Sequence, residues 1–204
     1  MKILIVSDHE NRYIWDHFDG SKFLDIDCII SCGDLHSEYL SFLVTMINKP
    51  LFFVYGNHDT EYTRKPPEGC ESIDGKLITF KGVRILGLGG CMKYGGDHRV
   101  SIPPFQYTEK EMIKRIRKLT PKIMFKKGFD ILVTHSPAEG VCDGKDMCHT
   151  GFRSLLALME KWQPQFMIHG HMHMGFGKGK RFVTHHSTQV YDAFEYYILE
   201  IPQK

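Results

Sequence analysis

An α/β domain built around parallel strands is the fold this sequence predicts, and three observations predict it. Short, β-branched apolar runs alternate with segments whose apolar residues recur at helical spacing, the pattern of strand–helix–strand units with parallel pairing and right-handed crossovers. The runs are apolar on consecutive residues, as strands buried on both faces are. Five of them finish in an aspartate, an asparagine or a histidine, and ligands in open α/β sheets gather just beyond the carboxyl ends of strands.

Ile3-Leu4-Ile5-Val6 is the first strand and runs into Ser7-Asp8-His9-Glu10. A short helical stretch follows, with Tyr13, Ile14 and Phe18 expected inward, before Gly20. Cys28-Ile29-Ile30-Ser31 is the second strand and ends in Gly33-Asp34-Leu35-His36. Leu40, Leu43, Val44 and Ile47 recur at helical spacing, and Pro50 closes that helix. Leu51 to Tyr55 is the third strand, ending in Gly56-Asn57-His58-Asp59. Residues 60–72, with Pro66-Pro67 and Gly69, read as a loop, and Leu77 to Phe80 with Val83 to Leu88 as a hairpin about Lys81-Gly82.

Gly87, Gly89-Gly90 and Gly95-Gly96 mark a glycine-rich segment reaching Pro104 that lacks the spacing of a phosphate loop. Thr108 and Glu111 form a capping box for a helix whose apolar side is Met112, Ile116, Leu119 and Ile123. Ile131 to Thr134 is the fourth buried strand and ends in His135-Ser136-Pro137. Phe152, Leu155, Leu156 and Met159 line a helix that stops before Pro164. Phe166-Met167-Ile168 leads into His169-Gly170-His171-Met172-His173, and strands are expected over Phe182 to Thr184 and Glu195 to Ile201.

The 204 residues suit one domain with a proper core, and no repeat, low-complexity tract or linker divides residues 1–204. Composition is that of a globular chain, 42% hydrophobic and 25% charged, and a formal net charge of +2 offers no general attraction to nucleic acid or acidic membranes. The six cysteines show neither CxxC nor zinc-knuckle spacing, and Met1-Lys2 leads directly into a strand-like run. A cytoplasmic protein with reduced thiols is therefore expected.

Taken singly the strand-end residues are bland. Gly-Asp and Gly-Asn are common turn signals, and a histidine before Ser-Pro can simply end a strand. Together Asp8, Asp34, Asn57 with His58, His135, and His171 with His173 form a mixed nitrogen and oxygen donor set without sulfur. Such a set suits manganese, iron or zinc rather than calcium.

On these residues the chain resembles the calcineurin-like metallophosphoesterase superfamily over its whole length. The motifs stand in order as Asp8 with its i+2 neighbour, Gly33-Asp34, Gly56-Asn57-His58-Asp59, Thr134-His135 and Gly170-His171-Met172-His173. The resemblance implies a four-layer αββα sandwich, two mixed β-sheets packed face to face with helices outside, and two divalent metals at the strand ends. It implies that Asp34 bridges the metals, that Asp8, the i+2 residue and His173 complete the first site, and that Asn57, His135 and His171 complete the second. Phosphoester hydrolysis through a metal-bridging hydroxide would follow. His58, oriented by Asp59, would protonate the leaving group.

One position departs. The family has Asp-x-His in its first motif where this chain has Asp8-His9-Glu10. Strand alternation would place residues 8 and 10 on one side, so Glu10 is expected to take the ligand place, with a bulge that swings His9 inward as the alternative. A third carboxylate favours a hard ion such as Mn²⁺. The same departure is also compatible with a weak or vacant first site.

The resemblance points to a small phosphate-ester substrate, and the long segment 91–104 together with 150–173 looks most like class III cyclic-nucleotide phosphodiesterases. Phosphodiesters or small phosphomonoesters fit a chain with little left over for a cap. A nuclease or phosphoprotein phosphatase shares the core, but a nuclease would want a basic channel. Lys110, Lys114, Arg117 and Lys118 are instead expected to be a solvated helix face. A different class is a fold retained as a protein scaffold, as in a retromer subunit of similar fold, and only Glu10 speaks for it. His36 is expected beside the site or on the surface, and His149 and the glycine-rich segment to border substrate. His9, His17, His98, His149, His185 and His186 have no partner motif, so solvent or ordinary hydrogen bonding is the default for them.

Overall fold

The computed structural model describes residues 1–94, 104–173 and 181–202. One sheet holds β1 (Lys2–Ser7), β2 (Cys28–Ser31), β3 (Leu51–Phe53), β4 (Cys70–Ser72) and β13 (Glu195–Glu200), in the order β13-β1-β2-β3-β4. Its first four strands run parallel and β13 runs antiparallel to β1. The other sheet holds β5 (Lys76–Phe80), β6 (Val83–Leu88), β9 (Ile131–Thr134), β10 (Phe166–His169), β11 (Phe182–His185) and β12 (Thr188–Asp192), in the order β11-β12-β10-β9-β6-β5. Its central strands β12, β10, β9 and β6 are parallel, with antiparallel β11 and β5 at the edges. A small pair, β7 (Cys91–Met92) and β8 (Gln106–Tyr107), stands apart.

The period-two alternation of side chains divides the apolar runs between layers. Ile3, Ile5 and Ile30 meet Ile85, Ile131, Val133 and Ile168 between the sheets. Leu4, Val6 and Ile29 face outward, onto Ile14 of α1 (Arg12–Asp16) and onto Leu40, Leu43 and Ile47 of α2 (Ser37–Ile47). On the far side Leu86, Leu132 and Met167 pack against Met112, Leu119 and Ile123 of α3 (Glu109–Phe125) and Leu155 and Met159 of α4 (Arg153–Trp162). This is the expected arrangement of two mixed sheets flanked by helices.

Helix ends follow local chemistry. Thr108 and Glu111 form the capping box, Glu111 N–H donating to Thr108 Oγ1 at 3.3 Å and Thr108 N–H to the Glu111 carboxylate at 2.7 Å. Lys110, Lys114, Arg117 and Lys118 are exposed, the solvated face of α3. Among the described residues no helix is long and apolar enough to cross a membrane.

The structure differs from the sequence reading in several elements. The expected loop over residues 60–72 contains a 3₁₀ turn (Asp59–Thr63) and the edge strand β4. That strand reads Cys-Glu-Ser, with no apolar alternation to reveal it. β12 escaped because Thr-Gln-Val-Tyr-Asp holds only two apolar residues, Val190 and Tyr191, side by side and without alternation. The third strand stops at Phe53 rather than Tyr55, and Tyr13 is exposed where Ile14 is buried, because α1 is a single short turn with one inward position. Gly95-Gly96 and His98 lie outside the described residues.

Truncation of Ile131, fully buried between the sheets, is expected to cost about 2–5 kcal/mol, the range for deleting a large aliphatic core side chain. Urea unfolding of Ile131→Ala measures it, and a loss below about 1 kcal/mol would mean the inter-sheet layer relaxes around the cavity.

Candidate metal centre

The parallel strands of both sheets end at a common rim, and cross-sheet hydrogen bonds close it. The N–H of His171, just past β10, donates to both carboxylate oxygens of Asp8, just past β1, at 3.0 and 2.9 Å. His135, just past β9, bonds the Cys32 carbonyl through Nδ1 at 2.7 Å. Gly170 N–H donates to the His135 carbonyl at 3.0 Å. Glycine is required where these chains touch. A Cβ on Gly170 would collide with Ser7 Oγ and Asp8 Oδ2, and one on Gly56 with the Asp34 carboxylate.

Asp8, Asp34, His171 and His173 all have positive φ (65°, 58°, 71° and 20°). This is a region that non-glycine residues enter at a cost and that clusters at functional sites. It also overturns the alternation argument for the first motif. β1 ends at Ser7, and His9 N–H turns back to the Ser7 carbonyl at 2.7 Å. His9 and Glu10 both line the same cleft as Asp8. The Glu10 carboxylate takes the Nδ1 of His36 at 2.7 Å, and His9 lies 3.8 Å from Glu195.

Asp34, His135 and His171 offer one ligand atom each, all within 4.8 Å of one another, and Asp8, Glu10 and His173 lie outside this triad. Asp34 Oδ2 and His171 Nδ1 are buried and have no hydrogen-bond partner. An unpaired buried polar atom is costly, so two converging on one place fit a cation. The tautomers agree. His171 Nε2–H donates to the Cys148 carbonyl at 2.7 Å, which leaves Nδ1 its lone pair. His135 directs Nε2 to Asn57 Oδ1 at 2.9 Å and lies 3.3 Å from Asp34 Oδ2. Asn57 Nδ2 in turn donates to the Tyr94 hydroxyl at 3.2 Å, which turns the amide oxygen toward His135.

Charge around the triad is tightly balanced. Burial alone would depress the His135 imidazole, but the Asp34 carboxylate beside it raises it to about 9. Burial alone would raise Asp34, yet His135 holds it at about 2. Burial, reinforced by the His135 charge, lowers His171 to about 3. Without a metal, the cation at this site is therefore the proton on His135.

His58 is exposed, its N–H anchored to Asp34 Oδ1 at 2.7 Å and its ring Nε2 4.0 Å from Asp34 Oδ2. Asp59 does not reach that ring among the described hydrogen bonds. It is buried and accepts from Gly56 N–H at 2.7 Å and Asp34 N–H at 3.1 Å. Its expected role as a direct orienting partner of His58 gives way to clamping the loop on which His58 stands. The physical reason is that the tight turn after Gly56 folds the carboxylate back onto backbone donors.

His149 sits beside the centre, its ring 5.2 Å from His171 and 6.0 Å from His173, held by Asp146 through Nδ1 at 2.8 Å. Tyr94 and the Cys148 carbonyl had no signal in the sequence, since each acts from an irregular segment. A cleft of about 460 Å³ opens here, lined by Asp8, Asp34 and His58 together with Arg12, Trp15 and His36.

Two packed mixed sheets thus bring oxygen and nitrogen donors together at their common rim. The chain belongs to the calcineurin-like phosphoesterase family, whose model matches residues 1–175, and metal-dependent phosphoester hydrolysis is the general chemistry of that family. It is 26% identical over 199 residues to UPF0046 protein K07C11.7 of Caenorhabditis elegans, a match to 87% of this chain and 65% of that protein, so the chain spans less than two thirds of this relative's length. In fold it is similar to TT1561 of Thermus thermophilus, with a TM-score of 0.64 and 17% identity over 95% of this chain and 89% of that one. It is also similar to a putative 5'-nucleotidase from Staphylococcus aureus, with a TM-score of 0.53 and 14% identity over 94% of this chain and 48% of that one.

A cation entering the triad must displace the proton that His135 carries at neutral pH, because its imidazole titrates near 9. His171 is already neutral there and contributes none. Metal affinity should therefore rise about tenfold per pH unit from pH 7 toward 9 and then level. Calorimetry in buffers of different ionisation enthalpy should detect about one proton released per ion, and no release would exclude His135 as a ligand.

Proposed function

We propose that the chain hydrolyses phosphodiesters, cyclic nucleotides included, or small phosphomonoesters, with two divalent cations, manganese foremost and iron or zinc as alternatives. The observation that carries this reading is the convergence of the orphaned Asp34 and His171 atoms with His135 at the rim of the two sheets. In this reading Asp8, Glu10, Asp34 and His173 would hold one ion, and Asp34, Asn57, His135 and His171 the other. A bound pair of such ions supplies charge to the phosphoryl oxygens and an acidified water as nucleophile.

The chain's own residues do the rest. His58 stands at the cleft on a backbone fastened to Asp34, so the group that donates a proton to the leaving oxygen is positioned relative to the Asp34 carboxylate. Asp59 holds that loop and Tyr94 holds the Asn57 amide, which keeps the donors preorganised. Among the described residues Arg12 makes no ion pair, so its charge is available to the phosphate. Trp15 packs on Tyr39 and Phe42 with ring centroids 5.2 and 5.0 Å away, and lends the cleft an aromatic surface for a planar leaving group. In this reading the protein is a cytoplasmic enzyme acting on small substrates.

The bond between Glu10 and His36 favours a second reading, a fold kept as a protein scaffold with its first site weakened. Metal content after purification, followed by hydrolysis of an aryl phosphodiester with Mn²⁺, separates the two. A chain that binds metal and turns over supports the enzyme, and a metal-free inert chain supports the scaffold.

His58→Asn should lower kcat by about 10²–10⁴-fold on alkyl phosphodiesters, the usual range for a general acid. It should do far less on p-nitrophenyl esters, whose leaving group needs no proton. Equal losses on both would remove His58 from that role. Since Glu10 adds a carboxylate to the donor set, the native pH optimum should lie above that of Glu10→His in rate profiles with Mn²⁺. An unchanged or lower native optimum counts against Glu10 as a donor.

A further inference from the structure

We infer that Glu160, His185 and His186 form a second metal site, outside the candidate centre, for a borderline divalent transition ion of the zinc kind. Glu160 lies in the last turns of α4, His185 is the last residue of β11, and His186 opens the two-residue turn into β12, where His185 pairs with Thr188. Their donor atoms all lie within 4.8 Å of one another. A single oxygen, Glu160 Oε1, is the near neighbour of both imidazoles, 3.3 Å from His185 Nε2 and 3.9 Å from His186 Nε2. The two rings touch with centroids 4.5 Å apart.

Ion pairs this exposed contribute little. His185 is hydrogen-bonded to Glu160 at 3.3 Å, while His186 stands 3.9 Å away, beyond hydrogen-bond reach, so its approach is not accounted for by a direct bond. Turn chemistry argues the same way. His186 has φ 50°, at a two-residue hairpin position where glycine or asparagine is the favoured choice.

Two imidazoles and one carboxylate are a three-ligand set with room for water. The nitrogen share disfavours calcium and magnesium, which take oxygen ligands, and selects zinc, cobalt, nickel or copper. β11 is an edge strand of its sheet. An ion here would fasten that edge to α4 and stabilise the hairpin, independently of hydrolysis at the other site.

The test uses Zn²⁺ and the full chain. Equilibrium dialysis with elemental analysis compares the native protein with Glu160→Gln, His185→Gln and His186→Asn, asparagine being tolerant of left-handed backbone. The native chain should take up one more equivalent of Zn²⁺ than the His185→Gln chain. Each substitution should weaken that equivalent at least about tenfold, the loss that even outer-shell changes produce, with hydrolysis unchanged. Thermal unfolding should show a Zn²⁺-dependent rise in Tm that the variants lose in part. Identical uptake and identical Tm shifts in all four chains would overturn the site. Should a variant misfold, diethylpyrocarbonate labelling of the native chain decides. Zn²⁺ must slow modification of His185 and His186, and equal labelling with and without the ion rejects the proposal.

Discussion

The hydrogen bonds that join the two sheets at their carboxyl rim are the constraint on which the rest depends. Asp8 belongs to one sheet and takes the N–H of His171 from the other with both oxygens. His135 crosses in the opposite sense to the Cys32 carbonyl. Neither bond can form unless the inter-sheet layer of Ile3, Ile5, Ile30, Ile131, Val133 and Ile168 sets the spacing. Hydrophobic packing, which is non-directional, thus becomes the instrument that positions directional donors. The glycines at 56 and 170 are the complement of this closeness, since any side chain there would part the strands.

That closeness creates the site's electrostatics. Asp34 and His135 are both buried and 3.3 Å apart, so each holds the other charged against the desolvation that would neutralise it alone. Beyond this ion pair Asp34 Oδ2 has no hydrogen bond. Asp59, nearby and also buried, is pushed up to about 7 by burial and by the Asp34 charge. A rim carrying more acceptors than donors is arranged for a cation, and the positive φ angles of Asp8, Asp34 and His171 show backbone strain retained for the same end.

Much of the fold was legible because buried strands and amphipathic helices carry strong periodicities. Cys28–Ser31 and Ile131–Thr134 coincide with β2 and β9, and the Thr108 capping box marks the start of α3. The missed strands are of one kind. β4 and β12 are held by neighbouring strands rather than by their own composition, so a local pattern had nothing to report. Glu10 shows the same limit from the other side. Its alternation argument assumed strand backbone to residue 10, whereas Asp8 turns out of β1 to meet His171.

The residue types at the strand exits, their order and the absence of sulfur were settled by the sequence alone. They sufficed to assign the chain's likeness and its donor inventory, because ligand chemistry belongs to the side chain itself. Which nitrogen of each histidine is free, that Asp59 clamps a loop instead of a ring, that Tyr94 sets the Asn57 amide, and that Glu160 faces His185 and His186 were decided only in three dimensions. Each depends on a partner distant in the chain, and only the packing of the two sheets and their helices brings those partners within hydrogen-bond reach.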